Sequence, residues 1–255
     1  MKRFLGIFAV VFILIFTANY QNSTNVRLIV SHLVYTNSLT EGDLRYQINL
    51  FNIFPAGEAV ICKPVEQTSQ KKTVIHVQAI AKTSSFINRI YPVQARADSY
   101  ISVQSGNPLR FTQEMLLHKK TAVSKEVLYD QDNLIMSIAG VQRSILPDTQ
   151  DPLSLMQRLV HMDLSKTQSF SMNLNTNQKN YIFSATVVPQ ELKLDTVSYQ
   201  LYTVKASIQR REKNNPYHRS YFTIVFLQSA DGNLPVSIRV FAGGAFINAR
   251  LLEVK

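Results

Sequence analysis

Five histidines are the first residues to examine for chemistry: His32, His76, His118, His161 and His218. A metal or acid–base site built within one element brings its members three or four residues apart on a shared face. No two of these histidines are that close. His161 and Asp163 have a spacing that could orient a general base. They follow a helix end, however, and a histidine there complements the helix dipole, so capping is the stronger reading. Glu58 and Asp98 are the carboxylates that could face each other across a cleft, although spacing alone does not unite them. Cys62 is the one cysteine, so no disulfide forms within the chain. In the run Ala59-Val60-Ile61-Cys62 it reads as a small apolar strand residue in preference to a reactive thiol.

Eight glycines supply no G-x-S-x-G elbow, no phosphate-cradling loop and no dinucleotide fingerprint. There is no H-E-x-x-H motif and no cysteine pair for zinc. The sequence therefore nominates no catalytic, cofactor-binding or metal-ligating residue, and the expectation is a protein that is not an enzyme and carries no cofactor. One candidate contact surface remains, the basic stretch Arg210, Arg211, Lys213, His218 and Arg219. Lipid head groups, peptidoglycan or an acidic partner are the surfaces it could touch. A solvated hairpin loop turning at Asn214-Asn215-Pro216 is the favoured alternative, because loops carry charge at least cost.

The elements that must position such residues begin with an address. Lys2 and Arg3 precede an apolar run from Leu5 to Phe16, the charge-then-core order of an export signal. The run is shorter than the roughly 17–25 apolar residues of a membrane-spanning helix. Residues 1–18 are thus a signal peptide or, if uncleaved, an N-terminal anchor, since no clean cleavage site follows. The expected location is the periplasm, free or tethered to the inner membrane. Residues 19–42 read as a linker or irregular arm, with Val26–Val34 able to dock on the domain. Residues 43–255 read as a single β-rich domain.

The formal charge is +10, from 27 basic and 17 acidic residues. Such a balance would normally suggest nucleic acid. Export argues against that partner and favours an anionic membrane surface, where each basic group is worth about 1 kcal/mol. A basic surface that merely aids solubility accounts for it equally well.

Within the domain, period-two segments dominate, as in half-buried strands. Leu44, Tyr46, Ile48 and Leu50 alternate with polar residues, and Lys72–Ala81 is the clearest strand. Pro55-Ala56-Gly57 reads as a turn, Ser84–Ile90 as one or two helical turns, and Ala230–Asn233 as a hairpin turn. A phase shift between Leu201 and Tyr202 predicts a β-bulge. One helix stands out over about 151–162: Asp151 can cap it, Pro152 suits its first position, and Leu153, Met156, Leu159 and Val160 recur at helical spacing. Ten or more strands against one helix predict a mainly β fold, a large curved antiparallel sheet or open barrel around that helix. Aromatics such as Tyr100, Phe111, Phe183, Phe226 and Phe241 are expected to fill its core, and the same faces would line any ligand cavity.

Several short motifs in order resemble an exported family, the Domain of Unknown Function 3108 family. Tyr46 with Pro55-Ala56-Gly57-Glu58-Ala59 is similar to its opening strand and turn. Tyr91-Pro92-Val93, Ser99-Tyr100, and Pro108 with Arg110-Phe111 resemble its second block, and Tyr129-Asp130 a third. Asp151-Pro152-Leu153-Ser154 resembles its helix start, and Leu234-Pro235-Val236 with Gly244, Ala249 and Leu251 its last hairpin. The chain departs from many relatives in having no tryptophan. The resemblance implies a bacterial envelope protein with a mostly antiparallel β fold, and implies no activity.

Export, β-richness and basic charge together lead to one expectation: a non-enzymatic envelope protein whose curved sheet binds an apolar or amphiphilic molecule. Two alternatives stay open. One is an assembly factor acting through protein contacts at strand edges. The other is a hydrolase of envelope polymers, which a cleft holding a histidine and a carboxylate within hydrogen-bond reach would support.

Overall fold

The computed structural model describes residues 22–35, 42–51, 54–69, 72–117, 122–176, 179–211, 219–242 and 245–255. Residues 1–18, read as signal or anchor, lie outside them. Strands β1 (Leu44–Leu50), β2 (Phe54–Ile61), β3 (Val65–Ser69) and β4 (Lys72–Thr83) come first. The short helix α2 (Ser85–Ile90) follows a helix α1 (Asn22–Tyr35) at the start of the chain, and leads into β5 (Val93–Ser102), β6 (Pro108–Leu117) and β7 (Val123–Asp130). After β8 (Ile135–Ile138) and β9 (Val141–Ser144) comes the central helix α3 (Pro152–His161). The chain finishes with β10 (Ser169–Thr176), β11 (Lys179–Leu194), β12 (Val197–Arg210), β13 (Arg219–Ser229), β14 (Gly232–Ala242) and β15 (Ala245–Val254).

All fifteen strands join one antiparallel sheet, hydrogen-bonded in the order β10-β11-β12-β13-β14-β15-β1-β2-β4-β5-β6-β7-β8-β9, with β3 added beside β4. The expected mainly β fold wrapped on one main helix is what the chain adopts. Helix α3 touches β4 and β5 on one side and β10 and β14 on the other, so distant parts of the sheet face each other across it. The ladder stays open between β9 and β10, and the segment between β9 and α3 spans the gap. There the Gln150 amide donates to the Asn173 carbonyl (2.8 Å), and the Asn175 amide to the Gln150 carbonyl (2.7 Å). Asn180 Nδ2 donates to the Ser144 carbonyl at 3.0 Å.

Two larger apolar cores share the strands between them, and a small third one joins Val127, Tyr129, Met136 and Ile145. Leu155 and Leu159 of α3 pack with Phe183, Tyr202, Val204, Ile224 and Phe226. Val30 and Leu33 of α1, both fully buried, pack with Tyr46, Leu201, Leu227, Val236 and Leu251. Adjacent strand residues point to opposite faces, so β12 enters the first core through Tyr202 and Val204 and the second through Leu201.

That arrangement corrects the bulge expected at Leu201/Tyr202. The β12 register against β11 and β13 runs through this point unbroken. The apolar phase shifts because both faces are covered there. Residues read as an irregular arm likewise contain a helix: Val26, Ile29, Val30, Leu33 and Val34 recur at helical spacing and bury one stripe. Each such side chain contributes about 1.5–3 kcal/mol on burial.

The Pro55-Ala56-Gly57 turn is also corrected. These residues lie inside β2, where Ile48 pairs with Gly57 and Asn49 with Pro55, leaving Ala56 as the extra residue of a bulge. A Cβ on Gly57 would meet the Lys82 carbonyl oxygen at 2.3 Å, so only glycine lets β4 approach this closely.

Candidate functional site

The inward face of the sheet is built around α3, which is pinned at both ends by buried polar groups. At its start the Asp151 side chain accepts from the Leu153 and Ser154 amides at 2.8 and 2.9 Å. Ser154 Oγ in turn accepts from the Asp151 amide, which completes a capping box. The other Asp151 oxygen accepts from Ser99 Oγ of β5 at 2.6 Å, tying the helix to the wall. Burial pushes this carboxyl up to about 6, against the pull of the hydrogen bonds from Ser99, Ser154 and Leu153. At the far end Asn233 Nδ2 donates to the carbonyls of Leu159 (3.0 Å) and Met162 (2.7 Å). Gly232 has a φ of +132°, and a Cβ there would meet the Val160 carbonyl oxygen at 2.7 Å.

Beyond the helix the same face holds a cavity of about 330 Å³. Its wall comes from register. Ala59 pairs with Ala81 and Ala81 with Ala95, while Ala79 pairs with Ala97 in the next row. Five methyl groups on β2, β4 and β5 thus stand where larger side chains would close the space. Ile48, Leu50, Ile87 of α2, Val93 and Met115 complete a mostly apolar lining, with Gln113, Thr83, Tyr91, Lys82 and Arg96 as its polar and charged residues. The volume is at the lower end of small-molecule sites.

A second pocket, of about 360 Å³, opens at the other end of these strands. Leu44, Ile61, Ile75 and Val77 form its apolar wall with Met156 and Val160 of α3, and Lys63, Glu66, His161 and Asp231 give it polar groups. Between the two along β1 stands Tyr46, 1% exposed, whose hydroxyl donates to the Pro235 carbonyl at 2.7 Å.

The residues singled out from sequence have other places. His161 bonds Gln157 (2.8 Å), and Asp163 takes Ser165 and Lys166, so the two do not act as a pair. Glu58 faces Lys82 at 3.5 Å, whereas Asp98 sits elsewhere on the outer face, so these carboxylates do not meet. Instead Asp98 Oδ1 lies 2.8 Å from His76 Nε2 and accepts from Gln78 Nε2 at 2.7 Å. Arg96 donates to both Asp98 oxygens, at 2.9 and 3.1 Å. Burial alone would raise the Asp98 carboxyl, but the bonds from Arg96, Gln78 and His76 reverse this and hold it at about 2. His76 stacks on Tyr100, and the Arg110 guanidinium lies over the Tyr100 ring, 5.1 Å from its centroid. A histidine–carboxylate contact therefore exists, on the outer wall and with its carboxylate saturated.

Cys62 is half-buried just beyond β2, not within the strand, and burial pushes its thiol up and away from reactivity. Of the basic stretch, Arg211 donates to Asn173 Oδ1 at 2.6 Å, Arg210 ends β12 and the Arg219 backbone begins β13. Lys213 and His218 lie outside the described residues. Of the named aromatics only Phe183 and Phe226 are fully buried; Tyr100 is on the outer wall, and Phe241 packs against Phe246. The cavity is lined by alanines where aromatic faces were expected. Among the described residues no three His, Cys, Asp or Glu side chains gather as a metal centre requires, and no helix is long and apolar enough to cross a membrane.

The order of these joints has a counterpart among known proteins. The family model for DUF3108, proteins of unknown function, matches residues 45–245. The chain belongs to the DUF3108 family. Two of the motifs that carried the resemblance meet in space, since the Tyr46 hydroxyl bonds the Pro235 carbonyl. No curated protein matches the chain. Among solved structures, this DUF3108 chain is similar to the crystal structure of a β-barrel-like protein of Domain of Unknown Function DUF1849 from Brucella abortus. The TM-score is 0.58 at 10% identity, covering 85% of this chain and 98% of that one. The likeness is one of fold.

Proposed function

We propose that this DUF3108 chain is an exported cell-envelope protein, periplasmic or tethered to the inner membrane, that holds an apolar or amphiphilic envelope molecule and is not an enzyme. The observation that carries the reading is the alanine-walled cavity of about 330 Å³ on the inner face of the sheet. Empty apolar space forfeits dispersion contacts that a guest would restore. The charged start and apolar run of residues 2–16 support export.

The two competing functions have less support. Among the described residues the His76–Asp98 contact lines neither pocket and Asp98 already accepts from three side chains, while His161, which shares the second pocket with Glu66 and Asp231, bonds Gln157. Assembly through strand pairing needs a long free edge. Here β9 is four residues long and β10 is already bonded to Gln150, although β11 continues past its last β10 partner, Thr186, to Leu194 with only β12 beside it.

The test is native mass spectrometry, with solvent extraction, of the chain purified from envelope fractions. Wild type is expected to carry an amphiphile that Ala81→Phe loses while keeping the wild-type circular dichroism spectrum. An empty wild-type protein, or equal loading of both proteins, would sink the reading.

A further inference from the structure

On the outer face, away from α3, two arginines converge. Arg239 of β14 pairs in register with Asn248 of β15, and Arg250 lies two residues along β15, opposite Ser237. Residues two apart share a face, and diagonal neighbours on adjacent strands stand roughly 7–8 Å apart, within reach of long side chains. Asn49 of β1 adjoins them, paired with Asn248 from the other side.

Asn49 is buried and both arginines are half-buried, and two donors of the group are unmet. Asn49 is 5% exposed and its Nδ2 has no acceptor. Arg250 Nε is buried, also without an acceptor. Among the described residues no carboxylate pairs with Arg239 or Arg250. Glu253, on the same strand and face, is engaged by Arg45 at 3.0 Å and Lys255 at 3.2 Å. Burial, and then the charge of Arg250, lower the pKa of Arg239. An arginine nonetheless keeps its proton. Folding therefore holds two like charges together in a partly dry place, which is unfavourable unless a ligand supplies negative charge and acceptors.

We propose that Arg239, Arg250 and Asn49 form a binding site for a phosphate group. Two guanidinium forks and an amide offer more donors than a carboxylate's two oxygens can take up, whereas a phosphate monoester or free phosphate presents three or more oxygens. Its charge, about −1.5 to −2 near neutrality, balances the two arginines. The site lies on the opposite face of the sheet from the alanine-walled cavity and stands independently of it.

The test uses the whole chain with inorganic phosphate and with vesicles of phosphatidylcholine, alone or mixed with phosphatidic acid. Phosphate is expected to raise the melting temperature of wild type by mass action, beyond the effect of chloride at equal ionic strength. Arg239→Gln and Arg250→Gln lose that rise, yet without phosphate each melts at or above the wild-type temperature, because a like-charge contact has gone. Arg239→Lys keeps the charge but not the fork, and weakens phosphate binding on the order of tenfold. Arg211→Gln, at a distant bonded arginine, leaves the rise intact. Binding to the phosphatidic acid vesicles that both Gln variants abolish identifies a lipid head group as the source. A phosphate-dependent rise without vesicle binding identifies a soluble phosphate compound. No rise in wild type, a rise matched by chloride, or an equal rise in both Gln variants overturns the site.

Discussion

The two sides of the barrel interior use the same inward alternation and reach opposite results. On the β10–β14 side, Phe183, Tyr202 and Phe226 fill the space up to Leu155 and Leu159 of α3, and all five are nearly or wholly buried. On the β1–β6 side, alanines at 59, 79, 81, 95 and 97 stop short and leave about 330 Å³. Backbone architecture alone therefore does not decide whether a curved sheet is solid or hollow. Side-chain volume at matched register positions decides it, since a packed interior tolerates few voids.

The largest expected effect breaks the filled side. Phe226→Ala should cost about 3–5 kcal/mol in urea denaturation, because its fully enclosed site cannot collapse. A loss below about 1 kcal/mol would show that this side is as loosely filled as the other.

Next comes the helix that separates the two sides. The Asp151 carboxyl is held at about 6, above its ordinary 3.8, so the folded state binds the proton more tightly than the unfolded chain. Its contribution is fully present below pH 3.8 and is lost as pH rises through 6, a swing of about 3 kcal/mol. Asp98 works the other way. Its carboxyl is depressed to about 2, so its contribution is present above pH 3.8 and disappears as pH falls toward 2. Asp151→Asn retains an acceptor for the Leu153 and Ser154 amides, and should flatten the urea midpoint between pH 4 and 6. Unchanged pH dependence in that variant would remove Asp151 as its source.

Gly232→Ala should cost about 1–3 kcal/mol, from left-handed backbone strain and the clash with the Val160 carbonyl. The smallest effect is on the hollow side: Ala81→Leu should change stability by less than about 1.5 kcal/mol, because space for it already exists. A loss comparable to that of Phe226→Ala would mean that the cavity closes in solution.

Sequence patterns carried the strands and α3 well, because alternation and an Asp-Pro start are local signals. Helix α1 was less legible. Its Ser, Asn and Thr neighbours suggested a tether, although Val26, Ile29, Val30 and Leu33 already had helical spacing. The cavity had no local signal at all. An alanine in a strand is ambiguous until register shows Ala59, Ala81 and Ala95 side by side. The His76–Asp98 contact, spanning 22 positions, and the Arg239–Arg250 pair depend on pairing in the same way.

The single-methyl wall has a consequence for divergence among related chains. Each of its positions has empty space beside it, and an alanine side chain makes no hydrogen bond that growth would remove. Successive enlargements can therefore reshape the chamber as a mould is filled, one increment at a time, while the surrounding framework stays as it is.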